Sequence, residues 1–126
     1  MFFFNNINKK NLEKELILAT EENSIQKFKT ILDDANENKI VLNINEKNDG
    51  GDNPLIKAII KNNIEMAKLL IKYANKNNII LEINEKNNDG RSPLIWATSK
   101  NNIEMVKLLI EYANKNNIIL EINEKK

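Results

Sequence analysis

Carboxylate side chains are the groups in this sequence that could carry acid–base chemistry. The chain contains no histidine and no cysteine, which removes the commonest general base near neutral pH, thiolate nucleophiles and the commonest zinc ligands. The nearest acidic groups are Glu21-Glu22, Asp33-Asp34, and Asp49 with Asp52. Adjacent residues on a helix point in different directions, so these pairs do not predict a shared buried site. We interpret them as solvated helix and turn residues, and we expect a protein that is not an enzyme.

The segment from Asn48 to Asp52 resembles a calcium-binding loop in composition, because it contains two aspartates and two glycines. It lacks the alternating oxygen ligands and the terminal glutamate of an EF-hand. An Asp-Gly pair is also a strong turn signal, and a second one follows at Asp89-Gly90. The glycines match no phosphate-binding motif. We therefore predict two turns here, with no metal site and no cofactor.

Charge and hydropathy exclude two further classes of partner. The net charge is +1, and the lysines are scattered among acidic residues with few aromatics, which argues against a nucleic-acid surface. The apolar runs are far shorter than the roughly 20 residues that span a bilayer. Residues 1–4, Met-Phe-Phe-Phe, lack the basic start and cleavage site of a signal peptide. We expect no membrane contact and a cytoplasmic location.

Internal repetition determines the predicted architecture. Residues 61–87 and 100–126 differ at three of 27 positions, with an offset of 39 residues. The same offset finds a degraded copy nearer the start of the chain, which stays in phase without a gap. The chain is long enough for one domain. We therefore predict a single domain over residues 1–126, made of units at approximately 11–47, 48–86 and 87–126.

Each unit carries the signals of two helices. Ser92 before Pro93 places an N-cap ahead of a proline at the first helical position, which predicts a short helix from Pro93 to Lys100. Asn101-Asn102 forms the turn, because asparagine tolerates a left-handed backbone. A second helix is predicted over Ile103 to Asn114. The same pattern in the preceding unit starts at Pro54, so the fold class is all-α.

The arrangement resembles the ankyrin repeat family. Residues 90–97, Gly-Arg-Ser-Pro-Leu-Ile-Trp-Ala, stand where the family has its Thr-Pro-Leu-His-x-Ala signature, and residues 103–109 are similar to its second helix. The resemblance implies an α-solenoid of stacked helix-turn-helix units with short hairpin-like connecting loops. Ile56 and Ile95 replace the signature histidine, which loses hydrogen bonds between repeats. The period is 39 where the family usually has 33, and we expect residues 75–80 to lengthen the second helix or its following loop.

The second helices predict how the units stack. Each has one polar stripe, at spacings of three and four, that should face solvent. The stripes are Gln26, Lys29, Asp33 and Asn36; Glu65, Lys68, Lys72 and Asn75; and Glu104, Lys107, Glu111 and Asn114. The other sides are apolar, as expected for helices packed between neighbours.

The two ends of the stack are predicted to differ. Lys27, Thr30 and Asp34 replace the Met66, Leu69 and Tyr73 of the second unit, so the first unit should be an N-terminal cap. The third unit shows no such change. Four of its side chains should face a further repeat: Ile103, Val106, Ile110 and Ala113. A truncated array, self-association or a marginally stable end would explain this, and we favour truncation.

The resemblance also implies a function, which is to bind another protein through the hairpin tips and the exposed side of the first helices. The matching positions are Asp49, Asp52, Lys57, Asp89, Arg91 and Trp96. Trp96 is the leading candidate, since tryptophan and arginine are enriched among interface hot spots. The alternative for Trp96 is partial packing against its own stack.

Two other functions fit the same pattern. The chain could be a regulatory or targeting segment of a larger multidomain protein or enzyme. It could also be a structural spacer, or a duplicated fragment without a specific partner. The tips of the second and third units differ while their helices barely do, which favours binding to an unidentified protein partner.

Overall fold

The computed structural model describes residues 8–122 and contains six α-helices in that range. They are α1 (Lys9–Glu21), α2 (Ile25–Glu37), α3 (Pro54–Ile60), α4 (Ile64–Lys76), α5 (Pro93–Ser99) and α6 (Ile103–Lys115). No strand occurs among the described residues. The all-α prediction is confirmed, and the predicted helices of the third unit end within one residue of the observed ones.

Side-chain caps start every one of these helices. In each case an Asn or Ser oxygen accepts a hydrogen bond from the backbone N–H three residues later, which satisfies a donor that the first turn leaves unpaired. The capping residues are Asn8, Ser24, Asn53, Asn63, Ser92 and Asn102. The turn between the two helices of each unit contains an asparagine with a left-handed backbone, namely Asn23, Asn62 and Asn101. The predicted Asn-Asn turn is therefore confirmed.

The first helix of the first unit is longer than its two counterparts. α1 has 13 residues, whereas α3 and α5 have seven. Glu15 stands where the later units have the proline that begins the helix, and Leu12 stands where they have the tip glycine. Without these two signals the helix begins earlier. The first unit thus has a helical turn in place of a hairpin tip.

The helices stack in two layers. α1, α3 and α5 contact one another in order, as do α2, α4 and α6. Between the layers lies one core, whose fully buried members include Phe28, Leu55, Met66, Leu70 and Leu109. The predicted polar stripes on α2, α4 and α6 are exposed, apart from the half-buried Asn36. The loop that follows α4 contains most of the predicted six-residue insertion, since α4 ends at Lys76.

A buried tyrosine joins each of α4 and α6 to the preceding unit. The Tyr73 hydroxyl accepts a hydrogen bond from the Leu42 N–H (3.0 Å) and donates one to the Ile40 carbonyl (3.2 Å) of the first unit. Tyr112 repeats the contact one unit later, accepting from the Leu81 N–H at 2.9 Å. This confirms that the Met66, Leu69 and Tyr73 face meets the preceding unit.

The two ends of the stack differ as the sequence predicts, with one exception. Lys27 and Thr30 are exposed on α2, and a hydrogen bond from Lys27 to Glu22 raises the pKa of the lysine. At the other end Ile103 and Ile110 are exposed. The prediction was wrong for Ala113, which is 2 % exposed. The chain after α6 turns back over it, with the Ile118 N–H donating to the Ala113 carbonyl at 2.9 Å.

Asparagines make hydrogen bonds between successive units. The Asn45 side chain donates to the Ile80 carbonyl (3.0 Å) and accepts from the Glu82 N–H (3.1 Å). Asn84 makes the same two bonds to the next unit, at 2.8 and 2.9 Å. A second row joins the interhelical turns through two amide pairs, Asn63 to Asn23 and Asn102 to Asn62. These rows supply polar links between units that have Ile56 and Ile95 in place of the signature histidine.

Candidate functional site

The tip of the second unit is a tight turn held by Asn48. Its side-chain oxygen accepts from the N–H groups of Gly50 (2.9 Å) and Asp52 (3.0 Å). Gly51 has φ of 80°, and an added Cβ there would lie 2.5 Å from the Asn88 side chain. Only glycine fits this position without displacing the next tip.

The tip of the third unit repeats the turn and is bonded to the second. The Asn87 side chain accepts from the N–H groups of Asp89 (3.0 Å) and Arg91 (3.2 Å). Asn88 donates to the second tip twice, from its backbone to the Gly50 carbonyl (2.9 Å) and from its side chain to the Asp49 carbonyl (3.0 Å). The two tips therefore form one fixed surface.

An ion pair connects the second tip to α3. The Lys57 ammonium lies 3.7 Å from the Asp52 carboxylate, and the two side chains are 22 % and 11 % exposed. The other carboxylate oxygen of Asp52 accepts from the Asn87 side chain at 2.8 Å. Asp52 is therefore engaged within the stack and holds both its own helix and the next tip.

The third unit has a different pair at the same two positions. Arg91 and Trp96 are 39 residues after Asp52 and Lys57, and the Arg91 guanidinium lies 5.1 Å from the centre of the Trp96 ring. This distance is within the range of a cation–π contact. Both side chains are half-buried. The indole Nε1 of Trp96 is buried and has no hydrogen-bond partner in the described part of the chain.

A shallow pocket of about 380 Å³ lies beside the ion pair. It brings three of the predicted residues together, Asp49, Asp52 and Lys57, with Glu21 from the end of α1. The Glu21 carboxylate accepts from the Asn48 side chain at 3.2 Å. Three carboxylates and one ammonium make this part of the surface acidic, while the neighbouring third tip carries both Asp89 and Arg91.

A family model confirms the resemblance seen in the sequence. The model of ankyrin repeats matches residues 16–119 as three copies. The chain belongs to the ankyrin repeat family. A search of curated proteins found no match.

Within this ankyrin stack the structure arranges the six predicted site residues in three ways. Asp49, Asp52 and Lys57 share the acidic pocket, and Arg91 and Trp96 are in contact with each other. Asp89 is exposed at the third tip and is not among the residues that line the pocket.

Sequence reasoning missed four residues that shape the ankyrin surface: Glu21, Asn48, Asn87 and Asn88. We interpreted Glu21 as a solvated carboxylate and named none of these three asparagines as a site residue. The structure gives these asparagines defined bonds at the tips. The signal was present in the sequence, because Asn48 and Asn87 are one repeat apart, each four residues before the tip residue at position 52 or 91 that contacts the following first helix.

Two other kinds of site are absent from the described part of the ankyrin domain. Among residues 8–122, no cluster of three or more acidic side chains has the geometry to hold a metal ion. No helix within the same range is long and apolar enough to cross a membrane.

Proposed function

We propose that this ankyrin domain binds a protein partner through the surface formed by its two tips and the exposed sides of α3 and α5, with Arg91 and Trp96 at the centre. Ankyrin repeats are in general protein-interaction modules. The observation that carries the proposal is the stacked Arg91–Trp96 pair, placed where the second unit has an Asp–Lys ion pair. Arginine and tryptophan are the residue types most enriched among binding hot spots.

The pair is held in place before any partner arrives. The backbone N–H of Arg91 donates to the Asn87 side chain, which also donates to Asp52 of the preceding unit, and the Arg91 guanidinium lies against the Trp96 ring. A side chain that is already fixed loses less conformational entropy on binding.

The charge on either side of this centre suggests the chemistry of the partner. Glu21 of the first unit and Asp49 of the second contribute exposed carboxylates, and Arg91 is the basic group on the third. Complementary charge fixes the orientation of a partner and raises its association rate. The proposed partner therefore places a basic side chain against the acidic pocket and an acidic or aromatic one against Arg91 and Trp96.

A comparative pull-down tests the proposal. The wild-type chain is compared with Trp96→Ala and with the double variant Arg91→Asp/Trp96→Lys, which installs the pair that the second unit already uses. We expect both variants to lose at least about 90 % of the bound partner, since hot-spot truncations cost about 2 kcal/mol or more.

Lys107→Ala is the matched control, because Lys107 is exposed on the solvent stripe of α6, outside the proposed surface. It should retain full binding. Equal capture of the same partners by Lys107→Ala, Trp96→Ala and the double variant would reject this surface. Circular dichroism of all three variants shows whether the fold is kept.

The proposal includes a binding role without catalysis and the cytoplasmic location expected from the sequence. Fractionation of cells that express the tagged protein would test the location. Recovery of the tagged protein outside the cytosolic fraction would contradict that part of the proposal and leave the binding surface unaffected.

A further inference from the structure

The side of the third unit that faces away from the second unit is apolar. We call it the outer face, and its members are Leu94, Ile95, Ile103, Val106, Ile110 and Ile122. Ile103 and Ile110 are exposed, and a cavity of about 440 Å³ lies between α5 and Ile122. The opposite end of the stack has Lys27 and Thr30 exposed on the corresponding helix.

The second unit carries nearly the same face, and there it is covered. Ile83 is 2 % exposed, whereas its counterpart Ile122 is 71 % exposed. Leu55 is buried, whereas its counterpart Leu94 is half-exposed. The two faces differ in what lies against them and hardly at all in sequence. The cover of the second unit is α5 and α6 of the third.

The contacts of that cover are specific. Tyr112 accepts a hydrogen bond from the Leu81 N–H, and Asn84 bonds to the backbone on both sides of Leu120. Met105 of α6 is completely buried against the second unit. Leu120 occupies in the third unit the position that Leu42 and Leu81 occupy in the first two, where each donates to the tyrosine of the following helix pair.

We propose that the outer face is a docking surface for a further helix pair of this chain's own repeat class, stacked as the third unit is on the second. The second helix of the docked pair presents a methionine and a tyrosine as α6 does, and this tyrosine hydroxyl accepts a hydrogen bond from the Leu120 N–H. Both existing interfaces of this kind join two units of this repeat class, so the occupant is a unit of the same class. A second copy stacked head to tail would instead place the polar Lys27 and Thr30 on the apolar face, which costs desolvation.

Extending the chain tests the proposal. A copy of residues 87–126 is fused after Lys125 in place of Lys126, which keeps the 39-residue offset, and thermal unfolding of the extended and original proteins is compared. We expect the midpoint to rise by at least about 5 °C, because the stability of a repeat stack includes the interfaces between neighbouring units.

Two substitutions separate docking on this face from a general effect of length. Ile122→Glu should abolish the rise in midpoint on extension, because residue 122 of the extended chain takes the covered environment of Ile83. In the original chain the same substitution should change the midpoint by less than about 2 °C. Ile119→Glu is the matched control. Ile119 is 87 % exposed, and its counterpart Ile80 stays exposed in the covered second unit, so the gain should persist.

Three results would overturn the inference. One is no rise on extension, and another is a rise that survives Ile122→Glu. The third is a stable dimer of the original chain, seen by sedimentation and lost in its Ile122→Glu variant, which would make a second copy the occupant. The pull-down uses different variants, at Arg91 and Trp96, so the partner-binding surface and the docking on the outer face can each fail alone.

Discussion

The second and third units are nearly identical in sequence over their second helices and following loops, yet their side chains lie in different surroundings. Ile83 is buried by the next unit, while Ile122, the same residue one repeat later, is largely exposed. In contrast, Leu70 and Leu109 are both completely buried. Residues that pack within a unit or toward the preceding one keep their environment, and residues that pack toward the following one do not. In a repeat stack, burial is therefore a property of the neighbour as much as of the residue.

The tips of the same two units show the opposite relation. Their backbone turns match, with Asn48 and Asn87 accepting from the same two N–H positions. The side chains on that shared frame differ, as an Asp52–Lys57 ion pair in one and an Arg91–Trp96 stack in the other. Conserved backbone geometry with exchanged chemistry is the arrangement expected of a recognition surface.

The largest expected difference in stability is between truncation of Ile83 and truncation of Ile122. Ile83→Ala should lower the free energy of unfolding by about 2–4 kcal/mol, whereas Ile122→Ala should lower it by less than about 0.5 kcal/mol. Denaturant unfolding of the two variants measures the difference. Leu70→Ala and Leu109→Ala are the controls and should cost about 2–5 kcal/mol each. Equal losses for the two isoleucines would contradict the difference in environment.

Substitutions at the tips should lower the free energy of unfolding by a smaller amount. Asp52→Ala leaves the Lys57 ammonium and one Asn87 amide donor without their partner, which should cost about 1–2 kcal/mol. Arg91→Ala removes the contact with Trp96 and should cost about 0.5–1 kcal/mol from that contact. Chemical denaturation at neutral pH provides both values. A greater loss of stability for Arg91→Ala than for Asp52→Ala would indicate that the third tip depends on Arg91 for folding. It would also weaken the assignment of Arg91 to partner binding.

A third effect concerns the tyrosines that join the units. Burial raises the pKa of the Tyr73 phenol above its ordinary value of 10.0, and the bond from Leu42 partly opposes this. The neutral phenol is therefore favoured in the folded state. Its contribution to stability is complete below pH 10 and is lost as the pH rises through that value toward the higher native pKa.

Tyr73→Phe should cost about 0.5–1.5 kcal/mol at pH 7 through its lost hydrogen bonds. It should also make the decline of stability above pH 10 shallower than in the wild type. Unfolding titrations between pH 8 and 11 compare the two proteins, with Tyr112→Phe as the matched variant one unit later. An unchanged slope for Tyr73→Phe would show that this phenol does not titrate with unfolding.

Much of the fold was predictable because its signals are local. The proline at the start of α5, the asparagine turn before α6 and the polar stripe on α6 each act within a few residues. The candidate site was predictable in part. Its positions were identified through the family resemblance, while the pairing of Arg91 with Trp96 and of Asp52 with Lys57 was not.

The sequence by itself determined the helices, their order, the 39-residue period and the polar end of the first unit, since these follow from capping, backbone preference and helical periodicity. The tertiary structure alone decided which partners the polar side chains found. Asn45, Asn63 and Asn88 bond to groups 35 to 40 residues away, and no local pattern encodes such distances. It also decided that Ala113 is covered and Ile122 is not, because burial depends on what stacks against a residue in space.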